Sequence, residues 1–192
     1  DKLRYASLTN NDLIKDSGDF AIDIHLDKKA KTLTISDNGI GMNKEDLISH
    51  LGTIARSGTS AFVESMPKED KKDANQIGQF GVGFYSVFMI ADKVDVLSKK
   101  AGEDKAFLWS SDGIGEYSIS DAKKPTHGTT ITLHIKKDAK EFLEVMRLKN
   151  IIKTYSDHIT LPISLISQNE DKDAKEKEIS EDDERRASDD IQ

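Results

Sequence analysis

The sequence predicts an α+β domain built as a two-layer sandwich, with helices on one face of a mostly antiparallel sheet. Two segments of period two lie close together near the start, separated by a short polar turn. Four more short strand-like segments follow one another between Val94 and Ile135, with turn residues between them. Segments of helical period are grouped between and after these runs rather than alternating with single strands, which excludes repeated βαβ units. No internal repeat is visible.

In chain order, Phe20, Ile22, Ile24 and Leu26 alternate with smaller or polar residues, the pattern of a half-buried strand. Leu33 and Ile35 continue it after the polar turn Asp27-Lys28-Lys29, which predicts a hairpin. From Asn43 the period changes. Asn43 is a good N-cap, and Leu47, Ile48, Leu51, Ile54 and Ala55 recur at helical spacing. A polar stretch rich in Gly and Lys runs from Ser57 to about Gln76, and a second helix is predicted from Gly83 through Phe84, Val87, Phe88 and Ile90. The segments Val94–Leu97, Ala106–Trp109, Glu116–Ile119 and Thr129–Ile135 then form a meander. Leu148, Ile151, Ile152 and Tyr155 mark a further amphipathic helix. Leu161 to Ile166 is a last strand, with Pro162 near its start, where a missing donor is tolerated.

Charged residues make up 33% of the chain, and the excess sits at one end. Residues 168–192 carry eleven acids and five bases, a net of −6 out of −7, so the body is close to neutral. No basic face for nucleic acid follows from that balance. The same tail is too poor in apolar residues to fold, which places the domain at 1–167 and a charged linker or tail at 168–192. The chain has no cysteine, which removes disulfides and thiolate metal sites and fits a reducing compartment. No run of 18 apolar residues predicts a membrane span. The start at Asp1-Lys2-Leu3-Arg4-Tyr5, without Met or an apolar signal core, reads as a piece of something longer.

Several motifs point to chemistry. The first is Ile35-Ser36-Asp37-Asn38-Gly39-Ile40-Gly41-Met42, between a strand and a helix. A carboxylate at the end of a buried strand needs a partner, and the glycines after it let another group approach closely. An adenine ring satisfies this arrangement: its exocyclic amine donates to Asp37, Gly41 leaves room for the base and Met42 packs on it. Guanine would present a carbonyl to the carboxylate and be rejected. The alternative reading of Asn38-Gly39 is a hairpin turn. The second motif is Gln76-Ile77-Gly78-Gln79-Phe80-Gly81-Val82-Gly83-Phe84-Tyr85-Ser86, a glycine-rich loop opening a helix. Free N–H groups there suit phosphates, although it is neither a Walker A loop nor a dinucleotide fingerprint, and a hinge or tight helix entry explains the glycines equally well. Between the two lies His50-Leu51-Gly52-Thr53-Ile54-Ala55-Arg56-Ser57-Gly58-Thr59, in which Arg56 could neutralise phosphates or simply be solvated. The third is Thr126-His127-Gly128-Thr129-Thr130, whose hydroxyls could join a base site or merely reflect β-propensity.

Taken in order, DNGIGM, HLGTIARSGT, IGQFGVGFYS and HGTTITLHI resemble the N-terminal domain of the heat shock protein 90 family, in its bacterial type, from about Asp1 to Ile166. The resemblance implies the Bergerat fold of the wider GHKL superfamily, shared with gyrases, histidine kinases and mismatch-repair ATPases. It implies ATP or ADP with Mg2+, Asp37 as the adenine-reading carboxylate assisted by Gly41, Met42 and Thr129, His50 and Arg56 near ribose and phosphates, and Leu51 among the ATP-binding residues. Gly78, Gln79, Phe80, Gly81, Val82, Gly83 and Phe84 would wrap the phosphates, and about 52–83 would form a mobile lid. His50 and Arg56 stand where many eukaryotic relatives carry Asn and Lys, which keeps the polar or cationic role.

The family's general-base Glu and magnesium-ligand Asn lie on a helix before the DKLRY segment, and its first strand exchanges between protomers. The expectation is therefore a fold lacking its N-terminal strand and helix, with no catalytic or metal residue assigned here. Nucleotide binding is expected to be weakened and hydrolysis near background. The resemblance further implies a cytoplasmic ATP-dependent chaperone that dimerises, contacts its own middle domain and acts on client proteins, with no nucleic acid or membrane partner. Two alternatives stand beside it: a mismatch-repair or topoisomerase-type ATPase domain, and a nucleotide-free interaction module.

Overall fold

The computed structural model describes residues 2–8, 10–14, 18–52, 82–156 and 158–168. Residues 53–81 of the lid expected at about 52–83, and residues 169–192 of the tail expected at 168–192, lie outside the described residues. Helix α1 (Lys2–Ser7) and a short 3-10 helix (Asn11–Ile14) precede the first strand. Neither is marked by periodicity in the sequence; on α1, Leu3 is fully buried.

Seven strands form a single sheet: β1 (Ile22–Asp27), β2 (Thr32–Asp37), β3 (Ala91–Lys99), β4 (Ala106–Ser111), β5 (Tyr117–Ala122), β6 (Gly128–Ile135) and β7 (Ile163–Ser167). Their order is β5-β4-β3-β6-β2-β1-β7, with every pair antiparallel except β1 and β7. The predicted first hairpin is present. At its turn the Asp27 carboxylate accepts from the amides of Lys29 and Ala30 at 2.9 and 2.8 Å, and Lys31 takes a positive φ of 57°. The predicted last strand begins after Pro162, whose carbonyl accepts from the Ile22 amide at 3.0 Å. The segment expected at Glu116–Ile119 runs instead from Tyr117 to Ala122.

The strand registers place one set of side chains on one face. Leu26, Leu33, Leu133, Val94 and Ser111 form one transverse row, and Ile24, Ile35, Ile131, Val96, Trp109 and Ile119 form the next. Leu26, Leu33, Leu133, Val94, Val96 and Trp109 from these rows, together with Leu47 and Leu51 and with Leu143, Val145 and Leu148, make one core, against which Ile24, Ile131 and Ile119 pack. The helices thus cover that face, as the pattern predicted. Trp109 is fully buried at its centre, edge-on to Phe84 and stacked on Tyr117. The opposite face carries His25, Thr34, Thr132, Asp95, Ser110 and Ser118 in register, the polar alternation of a sheet wetted on one side.

Several helical elements cover the core, among them the 3-10 helix Lys140–Leu143, which buries Leu143. Asn43 caps α2 (Lys44–Leu47) in a reciprocal capping box with Asp46. The helix predicted beyond it widens into a π-helical turn, Ile48–Gly52, which buries Leu51. The second predicted helix is found at Val82–Met89 with 3-10 pitch. There the Ser86 hydroxyl donates back to the Gly83 carbonyl at 2.6 Å, an i to i−3 closure that favours the tighter winding. The third is α3 (Val145–Tyr155), which buries Val145 and Leu148 and leaves Met146 and Tyr155 exposed.

Candidate functional site

The third transverse row of the covered face is different from the first two. It reads Ile22, Asp37, Thr129, Ser98, Phe107 and Asp121, so the apolar layer ends in a carboxylate and two hydroxyls on adjacent strands. Asp37 is the last residue of β2, and its register partner on β6 is Thr129. Thr129 pairs in turn with Ser98 on β3, and their hydroxyl oxygens are 2.9 Å apart. Both are buried.

The loop after Asp37 is shaped by backbone contacts. The Asp37 carboxylate accepts from the Gly39 amide at 2.8 Å, which bends the chain at the strand end. Asn38 turns its amide toward the preceding segment, accepting from the Ala21 N–H at 3.0 Å and donating to the Asp19 carbonyl at 2.8 Å. It therefore mimics a strand partner for 19–21, and the chain continues into α2, not into a second strand. That removes the hairpin-turn reading of Asn38-Gly39.

Gly41 has φ +66°, and a Cβ there would stand 1.9 Å from the Lys99 carbonyl oxygen. Glycine is required at this point because backbone packs on backbone, a different reason from the room for a base that the motif suggests. Two bonds fasten the loop to β3 and the turn after it: Ala101 N–H to the Ile40 carbonyl at 2.8 Å, and Met42 N–H to the Ser98 hydroxyl at 2.8 Å. His127 Nδ1 lies 2.7 Å from the Gly39 carbonyl, and since a carbonyl only accepts, that nitrogen carries the proton.

One expectation is corrected. Asp37 is exposed, not buried, because β2 ends at the rim of the sheet and the side chain leaves the apolar layer there. It is still in a recess: Leu3, Phe20, Ala21, Ile22, Asp37, Asn38, Gly39 and Leu161 line a cavity of about 260 Å³. Lys124 lies within reach of the Asp37 charge. Burial lowers the pKa of its ammonium, against the pull of Asp37.

The other predicted positions are scattered. His50 is exposed on the π-helical turn, while Leu51 is buried in the core and its carbonyl faces the Tyr85 hydroxyl at 3.5 Å. Gly83 is exposed and Phe84 packs against Trp109 and Tyr85. Val82 opens the 3-10 helix. Arg56, Gly78, Gln79, Phe80 and Gly81 lie outside the described residues. Asp37, Gly41, Met42 and Thr129 are therefore joined in one assembly, and sequence reasoning missed the residue that joins them, Ser98. Its signal was present: Val94, Val96 and Ser98 share the inward parity of β3, and a buried hydroxyl needs partners. Among the described residues no three His, Cys, Asp or Glu side chains converge to hold a metal.

The family described as histidine kinase-, DNA gyrase B-, and HSP90-like ATPase matches residues 6–141. The chain is 61% identical over 165 residues to a Chaperone protein HtpG of Roseobacter denitrificans (strain ATCC 33942 / OCh 114), covering 86% of this chain and 27% of that protein. It is 58% identical over 164 residues to an HtpG of Rickettsia massiliae (strain Mtu5), covering 85% and 26%. An HtpG of Sulfurovum sp. (strain NBC37-1) is 54% identical over 165 residues, covering 86% and 27%. The chain spans about a quarter of the length of these relatives. With a mostly antiparallel sheet covered on one face by helices, and with a matched region that contains the whole Asp37 loop, this chain belongs to the histidine kinase-, DNA gyrase B- and HSP90-like ATPase family.

Proposed function

We propose that this chain is the nucleotide-binding domain of an ATP-dependent chaperone, and that it holds adenine at the rim where Asp37 and Thr129 meet. The observation that carries this reading is the polar end of an otherwise apolar sheet face. A carboxylate with one oxygen on the Gly39 amide keeps its second oxygen, without a protein partner among the described residues, for the exocyclic amine. Met42, half-buried against the core beside Ser98, supplies an apolar surface for the ring. His50 and Arg56 suit ribose and phosphates, and Gly78 to Phe84 suit phosphates through backbone N–H groups. Magnesium would accompany the phosphates. Client binding, dimerisation, contact with a middle domain and a cytoplasmic location belong to the same proposal, supported by the similarity to HtpG chaperones.

Calorimetric titration with ADP tests it, comparing the wild-type chain with Asp37→Asn. Heat from wild type and its loss in the variant, at unchanged thermal stability, is the expected pair of results. Indistinguishable titrations would overturn the adenine assignment.

A further inference from the structure

We infer that Ser98 is a specificity-determining positioning residue, which fixes the proton of the Thr129 hydroxyl and so makes the site select an amino-purine over an oxo-purine. The inference rests on the nucleotide reading above and adds to it a residue that never needs to touch the base.

Ser98 has one hydroxyl hydrogen, and we assign it to the Gly128 carbonyl at 3.2 Å, a neighbour that can only accept. Its oxygen accepts the Met42 amide at 2.8 Å. The remaining contact, to the Thr129 oxygen at 2.9 Å, can then be made only with Thr129 as donor. Thr129 spends its own proton on Ser98 and presents lone pairs alone. Asp37, its register partner, also only accepts. Two acceptors on neighbouring strands match an exocyclic amine with two N–H groups, directly or through a bridging water. A purine carbonyl at the same place meets two acceptors and leaves all of them unpaired.

Without the Ser98 oxygen, Thr129 is free to rotate its hydroxyl and donate outward. The site then has one acceptor and one adaptable group, and an oxo-purine loses less. Ser98 is fully buried, so this effect passes through Thr129 and not through ligand contact.

The test compares ADP with inosine 5′-diphosphate by calorimetry in the full chain. Wild type should prefer ADP. Ser98→Ala should narrow that preference about tenfold, the size of one hydrogen bond's worth of discrimination. Ser98→Thr and Ser98→Val, which match each other in shape and differ in the hydroxyl, should retain and narrow it respectively, and they decide the matter if Ser98→Ala does not fold. Equal loss of both affinities, or a Ser98→Val variant as selective as Ser98→Thr, would make Ser98 a merely structural residue and overturn the inference. Failure of the nucleotide reading looks different: ADP would then bind Asp37→Asn as it binds wild type, or would not bind wild type at all.

Discussion

The Asp37 carbonyl oxygen stands 2.1 Å from the place a Cβ would occupy on Gly128, and the Asn38 Cα is 2.8 Å from it. Gly128 opens β6 with φ +111°, a conformation that side chains rarely adopt. The carboxylate-bearing strand and the threonine-bearing strand can come together only because this position has no side chain. Gly128→Ala should therefore cost about 3 kcal/mol or more, from backbone strain and steric overlap together. Urea unfolding measures it. A change within about 0.5 kcal/mol, the range of neutral surface substitutions, would show that the strands can separate at no cost.

Gly52, at the end of the π-helical turn, faces the Tyr117 ring. A Cβ there would lie 2.7 Å from the hydroxyl oxygen and 3.0 Å from the ring carbon that bears it. Tyr117 is stacked on the buried Trp109 and has little room to withdraw. Gly52→Ala is expected to destabilise by about 1–2 kcal/mol, an overpacking cost. Tyr117→Phe should recover part of that in the double variant. A double-mutant cycle with no coupling would refute the contact.

Burial pushes the Tyr85 phenol up to about 12 from its ordinary 10.0. A folded value above the unfolded one means that the neutral phenol stabilises the fold below pH 10 and that this contribution is lost as pH rises toward 12. Relative to Tyr85→Phe, wild type should lose on the order of 2 kcal/mol across that window. Parallel stability curves for the two proteins would place Tyr85 in water.

On the open face, Asp95 accepts from Ser110 at 2.6 Å, from His134 at 2.8 Å and from Lys93 at 3.0 Å. Burial alone raises a carboxyl pKa, but these three donors outweigh it and hold Asp95 below its usual 3.8. The lowered value makes the carboxylate stabilising above pH 3.8, a contribution lost as pH falls through the folded value. Asp95→Asn should be less stable than wild type at pH 7 by about 1 kcal/mol, with the gap closing in acid. A gap that persists at the lowest pH would assign the effect to shape, not charge.

Much of this architecture is legible in local pattern. The alternation from Ile22 to Ile35 predicts the first hairpin, and Asn43 marks a helix start that the capping box bears out. The DNGIGM motif falls at a strand-to-helix junction, as predicted. Harder to read are elements set by distant partners. Helix α1 buries Leu3 without any local pattern to announce it, and the chain after Leu47 widens to π pitch while packing Leu51 into the core. A buried Asp37 was the natural inference from an apolar strand, yet the rim of the sheet is decided by where neighbouring strands stop.

Periodicity is a property of a few consecutive residues, so the sequence by itself determined which segments are strands, which face of each is apolar, and which family motifs they carry. Register between strands is a sum over contacts far apart in the chain: Asp37, Ser98 and Thr129 meet across β2, β3 and β6 only through that sum. Only the tertiary structure could decide that a serine looking like any strand serine holds the Met42 amide and the Thr129 hydroxyl together, because hydrogen-bond partners are chosen by proximity in space.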